Sequence, residues 1–158
     1  MGPHRGPAVR HRRRPIWSAV FETIIHPRVS ETDAVGHINN TVVPIWFEAA
    51  RRDLFAVFGT PEDFSRWRMI VASFTVNFEH ELTYPAPVTA RVWVERIGNS
   101  SLTLHEELHQ HGKRCAVSNT NYVNVNPDTK RPERVSDEIR LALQPHLLPA
   151  PDLSERTH

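Results

Sequence analysis

The stretch that decides the fold reads Thr32-Asp-Ala-Val-Gly-His-Ile-Asn-Asn-Thr41, and an apolar segment that ends at Phe58 follows it directly. Two asparagines and a threonine at the end of this stretch suit a helix N-cap, and Pro44 is tolerated only in a first helical turn. Beyond it, apolar residues recur at three- and four-residue steps, which marks one buried helical face. These residues are Val43, Phe47, Ala50, Leu54, Val57 and Phe58. The pattern predicts one buried helix over 41–58, preceded by a polar loop.

Segments on both sides of this helix alternate apolar and polar residues, as half-buried strands do. The predicted strands span 16–29, 68–82, 88–97, 101–111 and 114–126, and a short helix over 136–143 follows with Ser136 as its cap. In the second strand, one face is predicted to carry Ile70, Ala72, Phe74, Val76 and Phe78. Gly98-Asn99 is a strong hairpin signal between the third and fourth strands.

A single helix that is apolar nearly all round needs cover on several sides, and a curled sheet supplies it. The sequence therefore predicts an α+β fold in which a curved antiparallel sheet of about five strands wraps around one long central helix. Long strands also leave a sheet edge that needs a partner, which predicts a homodimer.

The two ends of the chain differ from this body, which spans 16–143. Residues 1–15 are a basic tail with five Arg and no acid, while the net charge of the whole chain is only +1. Such a tail could bind nucleic acid, but we expect a solvated, disordered leader and no nucleic-acid partner. Residues 144–158 are rich in proline, and we expect them to be poorly ordered as well.

The composition gives expectations about location. No apolar run approaches the ~20 residues of a membrane-spanning helix, so no membrane partner is expected. Pro15 and a short strand-like run follow the basic residues, where a secretion signal needs an apolar core. Cys115 is the one cysteine, so no intramolecular disulfide can form, and we expect a cytoplasmic protein in which Cys115 is a small apolar filler.

The loop before the helix combines groups that acyl transfer needs. Asp33 supplies a carboxylate, Gly36 permits a sharp turn, and the helix that follows begins with unpaired N–H groups that favour negative charge. A carboxylate and such N–H groups at one point would supply a nucleophile or base together with an oxyanion site.

These residues resemble a known family. Asp33-Ala-Val-Gly-His-Ile-Asn-Asn40, then Trp46-Phe-Glu-Ala-Ala-Arg51 and the hairpin Ile97-Gly-Asn-Ser-Ser101, are similar to the motifs of the 4-hydroxybenzoyl-CoA thioesterase family of hotdog proteins. The resemblance covers about residues 16–143. It implies an acyl thioesterase that acts on an acyl-CoA or acyl-carrier-protein thioester, without metal or organic cofactor. It also implies a homodimer, often paired into a tetramer, with the active site at the subunit interface.

The same resemblance assigns catalytic roles. Asp33 falls on the catalytic carboxylate of the family, either as a nucleophile or as the base that activates water, and the oxyanion donor falls on the backbone N–H near Asn40. His37 is a candidate second acid–base group, although fixing the loop by hydrogen bonds is the simpler reading of it.

Further residues are candidates for substrate binding. They are Asn39, Thr41, Val43, Glu48, Ser100 and Ser101. Many relatives carry Tyr where this chain has Val43, which predicts a pocket for an aliphatic or otherwise apolar acyl group. Glu48 is a rival carboxylate or an ion-pair partner of a nearby Arg, and the two serines either contact the pantetheine arm or only form the hairpin.

Two other functions stay open at this stage. A non-catalytic dimer that binds acyl thioesters is possible on the same fold, and the departure at Val43 favours it. A nucleic-acid-binding protein acting through its tail is the weaker alternative. A hotdog dehydratase would need an Asp/His pair in its own motif, which the sequence does not contain.

Overall fold

The computed structural model describes residues 19–58 and 64–150, so the predicted basic tail lies outside the described residues. Five antiparallel strands form one sheet in the order β1-β3-β4-β5-β2. The strands are β1 (Phe21–Ile25), β2 (Met69–Phe78), β3 (Val88–Ile97), β4 (Ser101–Gln110) and β5 (Lys113–Asn124). The helices are α1 (Val43–Ala50) and α2 (Arg52–Phe55), before β2, and α3 (Asp137–Leu143), after β5. The predicted α+β class with an antiparallel five-stranded sheet is confirmed.

The central helix differs from the single long helix predicted over 41–58. Its regular part, α1, ends at Ala50, and Arg51 turns more tightly because its N–H bonds to the carbonyl of Glu48, three residues back, at 3.2 Å. The four-residue α2 and a 3₁₀ turn over Ala56–Phe58 complete the helical segment. The apolar spacing thus predicted a helical segment with the right buried face, but not its interruption at Arg51.

The core lies between α1 and the three strands β1, β3 and β4 that it contacts. Alternate residues of β3 and β4 point at the helix, as the period of two predicts. The fully shielded apolar residues of these elements are Phe47, Val88, Ala90, Val92, Val94, Leu104 and Leu108. Each large side chain buried in this way stabilises the fold by about 1.5–3 kcal/mol.

The inner face of β2 is the predicted one in the second half of the strand but not in the first half. The register with β5 shifts between Val71 and Ser73, so Ala72 is an extra, bulged residue. Phe74, Val76 and Phe78 pair with buried residues of β5 and therefore face the helix side. The bulge shifts the alternation by one residue, so before it the residues on the helix side are Met69 and Val71. Placing Ile70 and Ala72 on that face was therefore wrong, since a strict period of two does not hold through a bulge.

The first strand is shorter than predicted within the described residues. β1 ends at Ile25, and Pro27, which has no N–H to donate, follows two residues later. Val29–Glu31 then form a 3₁₀ turn that leads into the Asp33 loop.

Residues 144–150 are packed on the sheet, which differs from the poorly ordered end expected for this part of the chain. β1 pairs only with Val88–Val92 of β3. The rest of that edge is taken by the C-terminal segment, where the N–H of Leu148 donates to the carbonyl of Val94 at 2.8 Å. His146 stacks on Phe21 with 4.3 Å between ring centroids. The short first strand leaves room for this segment, and residues 151–158 lie outside the described residues.

The short helix predicted over 136–143 is confirmed as α3, with the Ser136 side chain accepting the Ile139 N–H at its start. Over the part of the chain that the structure describes, no helix combines the length and the apolar character needed to cross a membrane.

Candidate functional site

Asp33 sits in a tight loop whose backbone its own carboxylate organises. One oxygen, Oδ1, accepts the N–H of Val35 at 2.9 Å and the N–H of His37 at 3.2 Å. The carbonyl of His37 in turn accepts the Asp33 N–H at 2.8 Å. Gly36 has a φ of +81°, a left-handed conformation that glycine adopts without the strain a side chain would bring. The second oxygen, Oδ2, has no hydrogen-bond or ion-pair partner among the described residues and is available for chemistry.

This carboxylate borders a cavity of about 380 Å³, which we call the Asp33 cavity. The cavity lies between the loop and helix start on one side and the segment that follows β2 on the other. Its lining includes Asp33, His37, Ile38, Asn40 and Val43 on the first side, and residues 78–82 on the second. The structure therefore brings together the three predicted catalytic residues and the predicted pocket residue Val43. Residues 78–82 had no predicted role, because only the tertiary fold brings this segment next to the loop.

The backbone N–H groups at the helix start are not all available. The Asn39 N–H donates to the Glu31 carbonyl at 2.9 Å. The Thr41 N–H donates to the Asn39 side chain at 3.0 Å, and the Thr41 hydroxyl donates to the same oxygen at 2.8 Å. Only the Asn40 N–H of these three lacks a partner among the described residues. Asn39 and Thr41 thus shape the loop and do not line the Asp33 cavity, whereas Asn40 lines it.

His37 joins the two walls of the cavity. Its Nε2 lies 2.9 Å from a carboxylate oxygen of Glu81, and residues 37 and 38 pair in an antiparallel manner with residues 82 and 83. His37 thus contacts Glu81 through its ring and Thr83 through its backbone. Both contacts fit the interpretation that His37 fixes the loop by hydrogen bonds.

Glu31 anchors the loop to the helix, a role that was not predicted from the sequence. Its carboxylate accepts the indole N–H of Trp46 at 2.7 Å and the backbone N–H of Arg28 at 2.8 Å. The carboxylate connects residues fifteen positions apart, so sequence spacing alone could not indicate this contact.

Three other predicted residues lie away from the Asp33 cavity. Glu48 is exposed, borders separate cavities along β2, and forms no ion pair with a neighbouring Arg among the described residues. Ser100 and Ser101 form the β3–β4 turn, and Ser101 pairs with Val123 near the end of β5. The cavity lies near Ala116, seven residues earlier on β5, a distance of roughly 23 Å at ~3.3 Å per residue. Within one subunit these serines cannot reach a thioester at Asp33.

A buried polar network beneath the helix was also missed. The guanidinium of Arg51 pairs with Glu106, which is fully shielded, and also donates to the Thr120 and Tyr122 hydroxyls. Burial raises the pKa of Tyr122 to about 12. The i+3 spacing favoured Glu48 as the partner of Arg51, but the tight turn directs Arg51 into the core instead.

The described residues also bear on metal-dependent and cysteine-dependent catalysis. Across residues 19–58 and 64–150, no three His, Cys, Asp or Glu side chains converge as metal ligands would. Cys115 is buried, as expected of an apolar filler, and burial raises the pKa of its thiol, which disfavours the reactive thiolate.

Comparison with known proteins agrees with the geometry. Residues 27–143 match the model of the thioesterase-like superfamily. The uncharacterized protein YsmA of Bacillus subtilis (strain 168) is 29% identical over 132 residues, which cover 80% of this chain and 88% of that protein.

Solved structures give the same result. A predicted thioesterase from Bacillus stearothermophilus is 49% identical, with a TM-score of 0.79 over 83% of this chain and 98% of that one. The DHNA-CoA thioesterase from Staphylococcus aureus is 28% identical, with a TM-score of 0.64 over 73% of this chain and 80% of that one. These relatives confirm the resemblance to hotdog thioesterases and support an acyl-thioester hydrolase activity. With its family match, its antiparallel sheet and its helix-start loop, the chain belongs to the thioesterase-like superfamily.

Proposed function

We propose that the protein hydrolyses an acyl-CoA or acyl-carrier-protein thioester to the free acid and the thiol. The observation that carries this proposal is that Asp33 and Asn40 line one cavity, and that the Asp33 Oδ2 and the Asn40 N–H have no partner among the described residues. A thioester carbonyl between them would meet a carboxylate at its carbon and a hydrogen-bond donor at its oxygen.

The reaction would proceed by addition and elimination at the carbonyl carbon. Asp33 either removes a proton from a water molecule that attacks, or attacks directly to form an anhydride that water then opens. In both routes the Asn40 N–H stabilises the oxyanion, the C–S bond breaks, and the departing sulfur ends as a thiol with a proton that originates from water. His37 acts as a positioning residue that joins the loop to Glu81, since its ring nitrogen is already engaged at 2.9 Å.

The choice of coenzyme A as the carrier is a finer proposal. It is supported by the 28% identical relative, which is a CoA thioesterase by name. The acyl carrier protein stays the alternative carrier, and assays on both would distinguish them. The single buried cysteine is consistent with a reducing cytoplasm, which we propose as the location.

The substitution Asp33→Asn tests the catalytic role. Asparagine keeps an Oδ1 that can accept the Val35 and His37 N–H groups, so the loop retains its hydrogen bonds while the charge is lost. We expect kcat to fall by about 10²-fold or more, with an unchanged unfolding midpoint, in a thiol-release assay over a panel of acyl-CoAs.

Glu48→Gln is the matched control, because it removes the rival helical carboxylate and should leave kcat within a few-fold of the native value. Full activity of Asp33→Asn, or loss only in Glu48→Gln, would contradict the assignment of Asp33.

A non-catalytic acyl-thioester-binding protein is the second candidate. The observation that favours it is the double hydrogen bond to Asp33 Oδ1, which also serves a purely structural turn. It predicts that the native protein binds an intact acyl-CoA, detected by calorimetry, and releases no CoA over hours.

We also propose that two copies pair through β2 as a homodimer, which can pair again into a dimer of dimers. β2 is a ten-residue edge strand of the sheet. It exposes Ile70, Val71, Phe74 and Phe78 by 44–54%. An edge strand of this length with apolar side chains is a surface that proteins normally cover. Pairing there also places a second subunit beside the Asp33 cavity, which Phe78 lines.

A further inference from the structure

The Asp33 cavity has a second histidine, His80, on the wall opposite the Asp33 loop. This wall is the segment over residues 78–82 that ends and follows β2, and His80 lies in its middle. The side chain of His80 is exposed and has no hydrogen-bond or ion-pair partner among the described residues. An unpaired imidazole at the border of a cavity is able to give or take a proton there.

The backbone around His80 is fixed on both sides. The N–H groups of Glu79 and His80 both donate to the carbonyl of Cys115 on β5, at 2.8 and 3.1 Å. Two residues later, the carbonyl of Leu82 accepts the N–H of Ile38, which follows the catalytic loop, at 2.8 Å. The segment therefore presents a free side chain from a fixed backbone, as a group that acts on a bound substrate requires.

The pairing between the two walls places His80 near Asn40. His37 and Thr83 form an antiparallel bridge between the walls. In an antiparallel pair one chain advances as the other recedes, so the same register carried three residues further sets Asn40 opposite His80. Both residues line the Asp33 cavity, in agreement with this register. His80 therefore borders the place where the carbonyl of a bound thioester would lie.

Asp33 and His80 are the two titratable groups of the cavity lining that have no ion-pair partner among the described residues. The other titratable groups of the lining are His37, Glu79 and Glu81. His37 is paired with Glu81, and this contact joins the two walls. Glu79 is paired with Arg114 of β5, whose hydrogen bond lowers the pKa of the Glu79 carboxyl. A carboxylate and a histidine left unpaired in one cavity are suited to act as base and acid.

The sulfur of a bound thioester has to point towards the opening of the cavity. The group attached to the sulfur is a coenzyme or a carrier protein, which a cavity of about 380 Å³ cannot enclose. Ile38 and Val43 form the buried part of the lining, whereas His80 is exposed. His80 therefore borders the part of the cavity through which the thiol leaves.

We propose that His80 is the acid that protonates the departing sulfur, while Asp33 acts at the carbonyl carbon. This proposal rests on the proposed hydrolysis at Asp33. As the C–S bond breaks, its electron pair goes to the sulfur, and the His80 imidazolium gives its proton to that sulfur and becomes neutral imidazole. The water that attacks the carbonyl, or opens the anhydride, loses a proton that returns to His80 through solvent. The net reaction consumes one water and releases the acid and the thiol.

His80→Gln tests the proposal on two thioesters that differ only in the leaving thiol. For the acyl-CoA that the native protein hydrolyses fastest, we expect kcat/KM to fall by about 10²-fold, because glutamine cannot give up a proton. For the 4-nitrothiophenyl thioester of the same acyl group, kcat/KM should change by less than about threefold, since a thiolate of low pKa leaves without a proton. His26→Gln is the matched control, because His26 is exposed, has no side-chain partner among the described residues and does not line the Asp33 cavity.

A second variant, His80→Ala, provides an independent readout. Added imidazole should restore its acyl-CoA hydrolysis several-fold, and the unfolding midpoints of both His80 variants should match that of the native protein. In the native protein kcat/KM should fall as rising pH deprotonates the acid, and His80→Gln should lose this fall.

The outcomes separate this role from the proposed function. Equal losses on the two thioesters, or no loss on either, would overturn the role of His80, and activity that still depends on Asp33 would then retain the proposed function. A native protein that hydrolyses neither thioester would refute the proposed function and the role of His80 together.

Discussion

Arg51 and Glu106 form an ion pair inside the core, where Glu106 is completely shielded from solvent and Arg51 is 6% exposed. The second contact of the pair, from Nη2 of Arg51 to Oε2 of Glu106, measures 3.1 Å. Thr120 donates to the same carboxylate at 2.9 Å, and the guanidinium donates to Tyr122 at 2.7 Å. The positive charge of Arg51 is therefore compensated by Glu106, and the negative charge of Glu106 by Arg51 and the Thr120 hydroxyl. The pair connects the helical segment to β4.

Removing one partner of this pair should destabilise the protein strongly. Glu106→Leu leaves the Arg51 cation buried without its counter-charge, and we expect the free energy of unfolding to fall by about 3–5 kcal/mol. Urea denaturation followed by circular dichroism measures this change.

The double variant Arg51→Met with Glu106→Leu is the control for that prediction. It replaces both charges with apolar groups of similar size, so we expect it to be more stable than either single variant. Additive losses in the double variant would show that the pair is not energetically coupled and would contradict this account.

Glu107 should make the protein sensitive to acid. Burial disfavours its charged form, yet hydrogen bonds with His105, His109 and Arg114 outweigh burial and lower its pKa from 4.5 to about 2. A carboxyl with a lowered pKa in the folded state stabilises the protein above its unfolded pKa. That contribution of about 3 kcal/mol is lost as the pH falls from about 4.5 towards 2.

Glu107→Gln should consequently lower the free energy of unfolding at neutral pH, and the difference from the native protein should shrink as the pH falls below about 4.5. Urea titrations at a series of pH values measure it. Glu22→Gln, which removes a more exposed ion pair with Arg91 on the same sheet, should change little at any pH. A difference that stays constant with pH would show that Glu107 contributes packing only.

Pairing through β2 should be sensitive to charge on the edge strand. We expect Ile70→Lys combined with Thr75→Lys to convert a dimer into a monomer, because like charges face each other across a self-paired antiparallel strand. Both residues lie on the face of β2 opposite the helix side, so the lining of the Asp33 cavity stays intact. Light scattering after size-exclusion chromatography measures the mass. Leu141→Lys, at an exposed position on α3, is the control, and a dimer that survives both changes in β2 would place the interface elsewhere.

Much of the candidate site could be predicted because it is local in sequence. Asp33, His37 and Asn40 lie within eight residues, and the glycine and asparagines between them have conformational preferences that act at short range. The same holds for the β3–β4 hairpin at Gly98-Asn99 and for the Ser136 cap of α3.

The opposite wall of the cavity could not be predicted in this way. Residues 78–82 and the Glu31–Trp46 contact depend on segments that meet only in the folded chain. The bulge at Ala72 is similar, because it reflects how β2 pairs with β5. One extra residue in that pairing inverted the predicted inner face of the first half of the strand.

The amino-acid sequence by itself determined the order of the strands and helices, the buried face of the helical segment and the acidic loop before it, since these depend on periodicity and on local backbone preferences. Only the tertiary structure decided that Arg51 is buried against Glu106, that the Asn40 N–H is left without a partner among the described residues, and that residues 78–82 form the second wall of the Asp33 cavity. The physical reason is that partners for a charge, a hydrogen bond or an apolar surface are chosen by distance in space, and distant parts of the chain supply them.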